Sequence, residues 1–109
     1  MRTRVLLCAL AMLASNLVSA ATFTVTTTSD SGAGSLRQAL LDANATAGAD
    51  TIAFAVGGAG VHTITPISAL PAITEQVLID GYTQPGASPC TNAFPAPLNP
   101  VLQIELNGL

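Results

Sequence analysis

Polar and apolar residues alternate strictly across residues 22–28 (TFTVTTT), with Phe23 and Val25 on one face and Thr22, Thr24 and Thr26 on the other. A period of two with β-branched residues predicts a half-buried strand. Residues 29–34 (SDSGAG) are small or Asx-type and predict a turn. The period then changes. Leu36, Ala39, Leu40 and Ala43 fall at i, i+3, i+4 and i+7, so residues 34–44 (GSLRQALLDAN) form one short amphipathic helix. Ser35 and Gln38 have the spacing of a capping box, in which each side chain answers the other residue's backbone N–H. Residues 44–48 end the helix. A helix of about ten residues is not stable alone in water. It must lie on the strands beside it.

Asp50 leads into residues 51–56 (TIAFAV), whose two faces are both nearly apolar. That pattern predicts a strand covered on both sides. Residues 57–60 (GGAG) are a turn, and residues 61–65 (VHTIT) a short strand stopped by Pro66. Residues 70–74 (LPAIT) predict a corner with a short extended piece. Residues 76–80 (QVLID) predict a strand closed by Gly81. Residues 82–100 carry Pro85, Pro89, Pro95, Pro97 and Pro100 and predict a long irregular excursion. Residues 101–106 (VLQIEL) are a last alternating strand, followed by the turn signal Asn107-Gly108. Short strands with Gly, Pro, Asn and Asp corners suit a coil of three strands per turn better than a meander of hairpins, although no exact repeat is visible.

Residues 1–20 have the three parts of an export signal. Arg2 and Arg4 form a basic start, residues 5–13 an uncharged apolar core, and Val18-Ser19-Ala20 the small residues a signal peptidase needs. Cleavage is expected after Ala20 or Ala21. The apolar part is shorter than the 18 or so residues that span a bilayer, which disfavours a membrane anchor. Cys8 lies inside the apolar core after Leu7, where a lipid-modified cysteine would not stand. Removal of the signal leaves Cys90 as the one cysteine, either paired elsewhere or exposed.

The remainder, residues 21–109, is enough for one small domain. It keeps Arg37 as its single Lys or Arg, against all 6 Asp and Glu residues of the chain. Nucleic acid needs clustered Lys and Arg, so nucleic-acid partners are excluded. The same shortage argues against docking on anionic lipid, and no membrane insertion is expected after signal removal.

The run 30–40 (DSGAGSLRQAL), then Ala43-Asn44, then 48–54 (GADTIAF) resembles the start of secreted right-handed parallel β-helix proteins of bacteria. In these a short helix carrying an S-L-R-x-A pattern caps the first coil. Residues 70–74 (LPAIT) and 79–86 (IDGYTQPG) look like the first rungs of the same proteins. One variant of the family has a Cys before its Ser-Leu-Arg; here Gly34 stands there. The resemblance implies a mainly β fold: an N-terminal cap helix plus the first coils of a pectate-lyase-like right-handed parallel β-helix, truncated at residue 109. That superhelix occurs in exported adhesins, surface proteins and polysaccharide-cleaving enzymes, so fold alone does not choose a function.

The candidate site is structural: Ser35, Leu36, Arg37 and Gln38 of the cap helix, with Asp30 and Asp50 on the turns flanking it. Arg37 in the first helical turn and Asp42 in the last both oppose the helix dipole, so outside partners are expected. Arg37 is expected to reach Asp30 or Asp50 and pin the helix there. No catalytic, cofactor-binding or metal-binding residue is expected. His62 is the chain's 1 histidine, too few for a zinc site, and reads as a strand residue with a structural hydrogen bond. Asp80 and Glu105 would have to stand a few ångströms apart on neighbouring coils for glycosidic chemistry, and read instead as a turn aspartate and an outward glutamate. Asn44-Ala45-Thr46 fits a glycosylation sequon, but Asn44 reads as a helix-ending residue. Tyr82 is one aromatic, not a sugar-binding platform.

The expected protein is therefore an exported structural or adhesin-like β-helix protein of a Gram-negative bacterium, secreted or at the cell surface. Its cap helix shields the end of the superhelix. Surface glycans or host cell-surface molecules are the expected partners, without a small-molecule cofactor. The alternatives are the N-terminal part of a polysaccharide lyase or glycoside hydrolase with catalytic coils downstream, and a small β-sandwich binding module. Residues 101–106 are expected to be covered by a further coil, since an uncovered apolar strand edge invites aggregation.

Overall fold

The computed structural model describes residues 20–108. The export signal read at residues 1–20, with Arg2, Arg4 and Cys8, lies outside the described residues except at Ala20. The elements in order are β1 (Thr22–Val25), α1 (Leu36–Asn44), β2 (Asp50–Phe54), β3 (His62–Ile64), β4 (Val77–Ile79), a 3-10 turn (Gly81–Thr83) and β5 (Ile104–Leu106). Every strand pair is parallel. One sheet has the order β1-β2-β4, and β3 pairs with β5 in a second. The antiparallel ladders of a β-sandwich are not what these strands form. No helix of the described residues is long and apolar enough to cross a membrane.

Parallel register stacks like on like. Thr22 pairs with Thr51, Phe23 with Ile52, Val25 with Phe54, and Ile52 in turn with Ile79. The core forms on one side of this sheet, where Val25, Ile52, Phe54 and Val56 are buried with Ile64 of β3. The stripe Leu36, Ala39, Leu40 and Ala43 of α1 is buried against them. Helix α1 packs on β1 and β2.

Three expectations change. The content is mixed rather than mainly β: the strands are 3 to 5 residues long beside a 9-residue helix, and the described residues do not close a β-helix coil. Strand β2 is covered on one face only. Thr51 and Ala53 are half-buried and Ala55 is exposed, because small side chains on that face give an apolar pattern without a layer over them. Residues 101–106 are not one strand. Val101 exchanges backbone hydrogen bonds of 2.9 and 3.0 Å with Ser88 in an antiparallel bridge, which closes the Pro-rich excursion, and β5 starts only at Ile104.

Strand β1 ends where the turn takes its donors. The N–H groups of Thr26 and Thr27 both donate to the Gly34 carbonyl, at 2.9 and 3.2 Å. Gly34 has φ of 81°, and a Cβ there would collide with Thr26 Oγ1. A Cys at this position, as in the family variant, would meet the same obstacle. Gly34→Ala combines left-handed strain with that clash, and its expected cost is about 1–3 kcal/mol. A thermal melt should fall by roughly 5–15 °C at this size.

Candidate functional site

Helix α1 begins on a buried Ser35, whose extended backbone makes it the N-cap. Ser35 Oγ accepts from the Gln38 N–H at 3.1 Å and donates to the Gly32 carbonyl at 2.7 Å. The reciprocal half of the capping box is absent. The Ser35 N–H donates to Gly32 instead, and the Gln38 amide donates to Asp42 Oδ1 at 2.9 Å. Asp42 therefore finds its partner one turn back on the same helix. Leu36 points into the core.

Arg37 is the cation around which this end is tied. Its Nε donates to the Asp30 carbonyl at 3.2 Å and its Nη2 to Asp30 Oδ1 at 3.0 Å. Nη1 donates to the Ala69 carbonyl at 2.7 Å, and Nη2 also to Ser68 at 3.0 Å. A planar guanidinium suits several acceptors at once, which a lysine ammonium on a flexible stem does not. Asp30 Oδ1 in addition accepts the Ile67 N–H at 2.9 Å. The pair thus joins three segments: the turn before α1, the first turn of α1, and residues 67–69.

Asp50 is not part of this pair. It follows the C-terminal end of a 9-residue helix, about 13 Å long, whereas Arg37 stands in the first turn. Asp50 is buried at the start of β2, and its Oδ1 accepts the Ala21 N–H at 2.9 Å.

The Ile67 N–H first, and the Arg37 guanidinium second, hold the Asp30 carboxyl below its ordinary value of 3.8, against a smaller opposing effect of lost hydration. The folded chain therefore binds this proton less readily than the unfolded chain. Its contribution to stability is present above pH 3.8 and is lost as pH falls below that, through the depressed folded value. Melting temperature should drop more steeply on acidification in the native chain than in Asp30→Asn. Circular dichroism melts between about pH 2 and 7 check this.

Asn44 holds the other end of α1. Its Nδ2 donates to the Ala72 carbonyl at 2.8 Å, and its Oδ1 accepts the Thr74 N–H at 2.9 Å. Residues 67–74 are thus strapped along α1 by Arg37 at one end and Asn44 at the other. In the sequence Asn44 reads only as a helix-ending residue. The available signal is an amide donor and acceptor at a helix end, and the backbone groups it meets at Ala72 and Thr74 lie outside any strand.

A second clamp lies after β4. The Asp80 N–H still donates to Ile52, at 2.9 Å, but the chain then turns away through the 3-10 turn. Side chains continue the ladder from there. Thr83 Oγ1 accepts the Phe54 N–H at 2.7 Å. Gln84, 1% exposed, accepts the Val56 N–H with Oε1 and donates Nε2 to the Val56 carbonyl, both at 2.8 Å. Nothing in the periodicity marked Thr83 or Gln84, which sit where the irregular excursion begins.

The residues weighed for chemistry stand apart. Asp80 Oδ1 caps the 3-10 turn by accepting the Tyr82 N–H at 3.0 Å. Glu105 is on β5 of the second sheet, whose partner is β3 and not the strand that Asp80 ends. His62 Nε2 lies 2.9 Å from the Gly58 carbonyl. Cys90 is a free, exposed thiol, and Tyr82 is exposed. Among the described residues no three of His, Cys, Asp and Glu are grouped to hold a metal ion. An apolar groove of about 290 Å³ is walled by Leu36 and Leu40 of α1 and by Phe54, Ile64, Ile79 and Leu106. No protein-family model, curated protein or solved structure matches the chain.

Proposed function

We propose that residues 21–109 are the N-terminal cap and first coils of an exported right-handed parallel β-helix, and that α1 shields the first end of that superhelix. The observation that carries this reading is the alternation of the chain between two parallel sheets. Strand β2 is in the first, β3 in the second, β4 in the first again and β5 in the second. A parallel pair needs a crossover connection; the β1–β2 crossover runs through α1, whereas the β2–β4 and β3–β5 crossovers each run through the other sheet, the path a winding chain takes. A right-handed crossover is the strong rule for such connections. The two ends differ. At the β1 end the buried stripe of α1 covers the core. Away from β1, on the outer strand β4 and on β5, Leu78, Ile79 and Leu106 are exposed. Apolar strand edges of that kind favour pairing with more strand, and further coils of the same chain would supply it. The role is structural, within a secreted or cell-surface protein of adhesive type.

The test is the asymmetry of self-association. The exported chain should associate reversibly in sedimentation velocity. The double substitution Ile79→Lys and Leu106→Lys should render it monomeric with an unchanged circular dichroism spectrum. A native chain that is monomeric throughout, or association indifferent to these substitutions, would remove the proposal.

A further inference from the structure

Asp50 is the most unusual polar residue of the chain. It is 1% exposed, and its Oδ2 is buried without a hydrogen-bond partner among the described residues. Its Oδ1 accepts a single donor, the Ala21 N–H at 2.9 Å. Burying a carboxylate is costly unless it is paired with a cation and hydrogen-bonded. The single arginine after residue 4 is Arg37, which is engaged with Asp30. The nitrogen against Asp50 belongs to the residue that follows Val18-Ser19-Ala20, and Ala20 is exposed. Ala21 is itself fixed, since its carbonyl accepts the Thr51 N–H at 2.8 Å.

We infer that Asp50 is a built receptor for the α-ammonium group created when the chain is cut between Ala20 and Ala21. The inference rests on the export reading of residues 1–20 and selects between its two cleavage positions. Hydrolysis of the Ala20–Ala21 bond consumes one water. The hydroxyl oxygen goes to the Ala20 carbonyl carbon, which leaves as a carboxylate, and the nitrogen of Ala21 becomes a primary amine. That amine takes up a proton near neutral pH. At the position of the present nitrogen an ammonium carries three N–H donors in place of one. One keeps the bond to Oδ1, a second is free to turn to Oδ2, and the carboxylate gains the cation it lacks. Cutting after Ala21 would instead discard both the nitrogen on Asp50 and the carbonyl on Thr51. Processing thus completes the first strand pair, and the signal and the fold are matched to within one residue.

The chain has no lysine, because its 3 basic residues are Arg2, Arg4 and Arg37. The α-amine is therefore the one primary amine of the protein, and an amine-reactive reagent reads it alone. The full chain, signal included, is expressed for export in a Gram-negative host and purified from outside the cytoplasm. Intact mass should give Ala21 as the first residue. An N-hydroxysuccinimide acetate should then acetylate the native protein about tenfold or more slowly than the same protein in urea. Asp50→Asn should abolish most of that protection where it folds, and the native-to-urea comparison stands without it. A mature chain starting at Thr22 overturns the inference and leaves the export reading intact. An uncut chain starting at Met1 overturns both. A chain starting at Ala21 whose amine reacts equally fast with and without urea overturns the inference alone.

Discussion

Gln84→Ala should lower stability by about 2–4 kcal/mol, because it strands two buried backbone groups in one step. The Val56 N–H and C=O have no strand beside them. Their partners are the two ends of one side-chain amide, 28 residues further along the chain. Gln84 is 1% exposed, and water does not reach the site to replace it. Alanine would also leave the volume of the amide empty. A melting temperature lower by roughly 10 °C or more, with a urea midpoint to match, is the expected reading. Gln84→Glu separates hydrogen bonding from volume. The new carboxyl matches the amide in size, but when ionised it sets an oxygen against the Val56 carbonyl where a donor is needed. Folding then favours its protonated form, so its folded-state pKa lies above the unfolded value. The penalty should grow as pH rises above about 4 and shrink below it, opposite in sign to the acid loss expected at Asp30. A variant as stable as the native chain at neutral pH would mean that the Val56 groups do not depend on Gln84.

This clamp also shows which parts of the molecule were legible from the chain alone. The stripe Leu36, Ala39, Leu40 and Ala43 was legible, because a helical period survives whatever the helix packs against, and all four residues are buried. The strand signals at residues 22–28, 51–56, 61–65 and 76–80 each contain a strand, shortened where the ladder hands its groups to other partners. Residues 26 and 27 leave β1 because Gly34 draws their N–H groups, an event set by a glycine conformation and not by a hydrophobic period. The pattern of β2 overstates its coverage because Ala53 and Ala55 look apolar in sequence while being too small to demand burial. At the candidate site the guanidinium of Arg37 was legible as an anchor, since a lone cation among carboxylates draws attention. Its choice of Asp30 over Asp50 was not, because that depends on which end of α1 each carboxylate reaches. The long-range bonds of Asn44 and Gln84 are not legible in the sequence, for a common reason. Each bonds backbone atoms about 30 residues away, and no local pattern encodes such a pairing.

Leu40→Asp should unfold the chain outright, while Leu41→Asp, one position along, should leave it nearly unchanged. The two leucines share composition and helix, and differ in the side of α1 they occupy. Leu40 is 3% exposed, packed in the cluster of Val25, Ile52 and Phe54, and forms part of the groove wall. Leu41 is 47% exposed. Truncating a buried leucine costs about 2–5 kcal/mol through lost transfer energy and the cavity left behind. An aspartate adds the desolvation of a carboxyl with no cation within the core, several kcal/mol more, and the total reaches the low end of the roughly 5–15 kcal/mol that separates folded from unfolded proteins, where a domain this small lies. At Leu41 the carboxylate stays in water, and the change should fall within about 0.5 kcal/mol. Far-ultraviolet circular dichroism of the two variants, with a urea titration of whichever folds, measures both. A nine-residue helix has too little intrinsic stability to persist apart from its packing, so loss of the Leu40 contact should take α1, and with it the cover over β1 and β2, in a single transition. If instead Leu40→Asp melted α1 alone while β1, β2 and β4 kept their hydrogen-exchange protection, the helix would be an accessory to the parallel sheet and not the element that closes it.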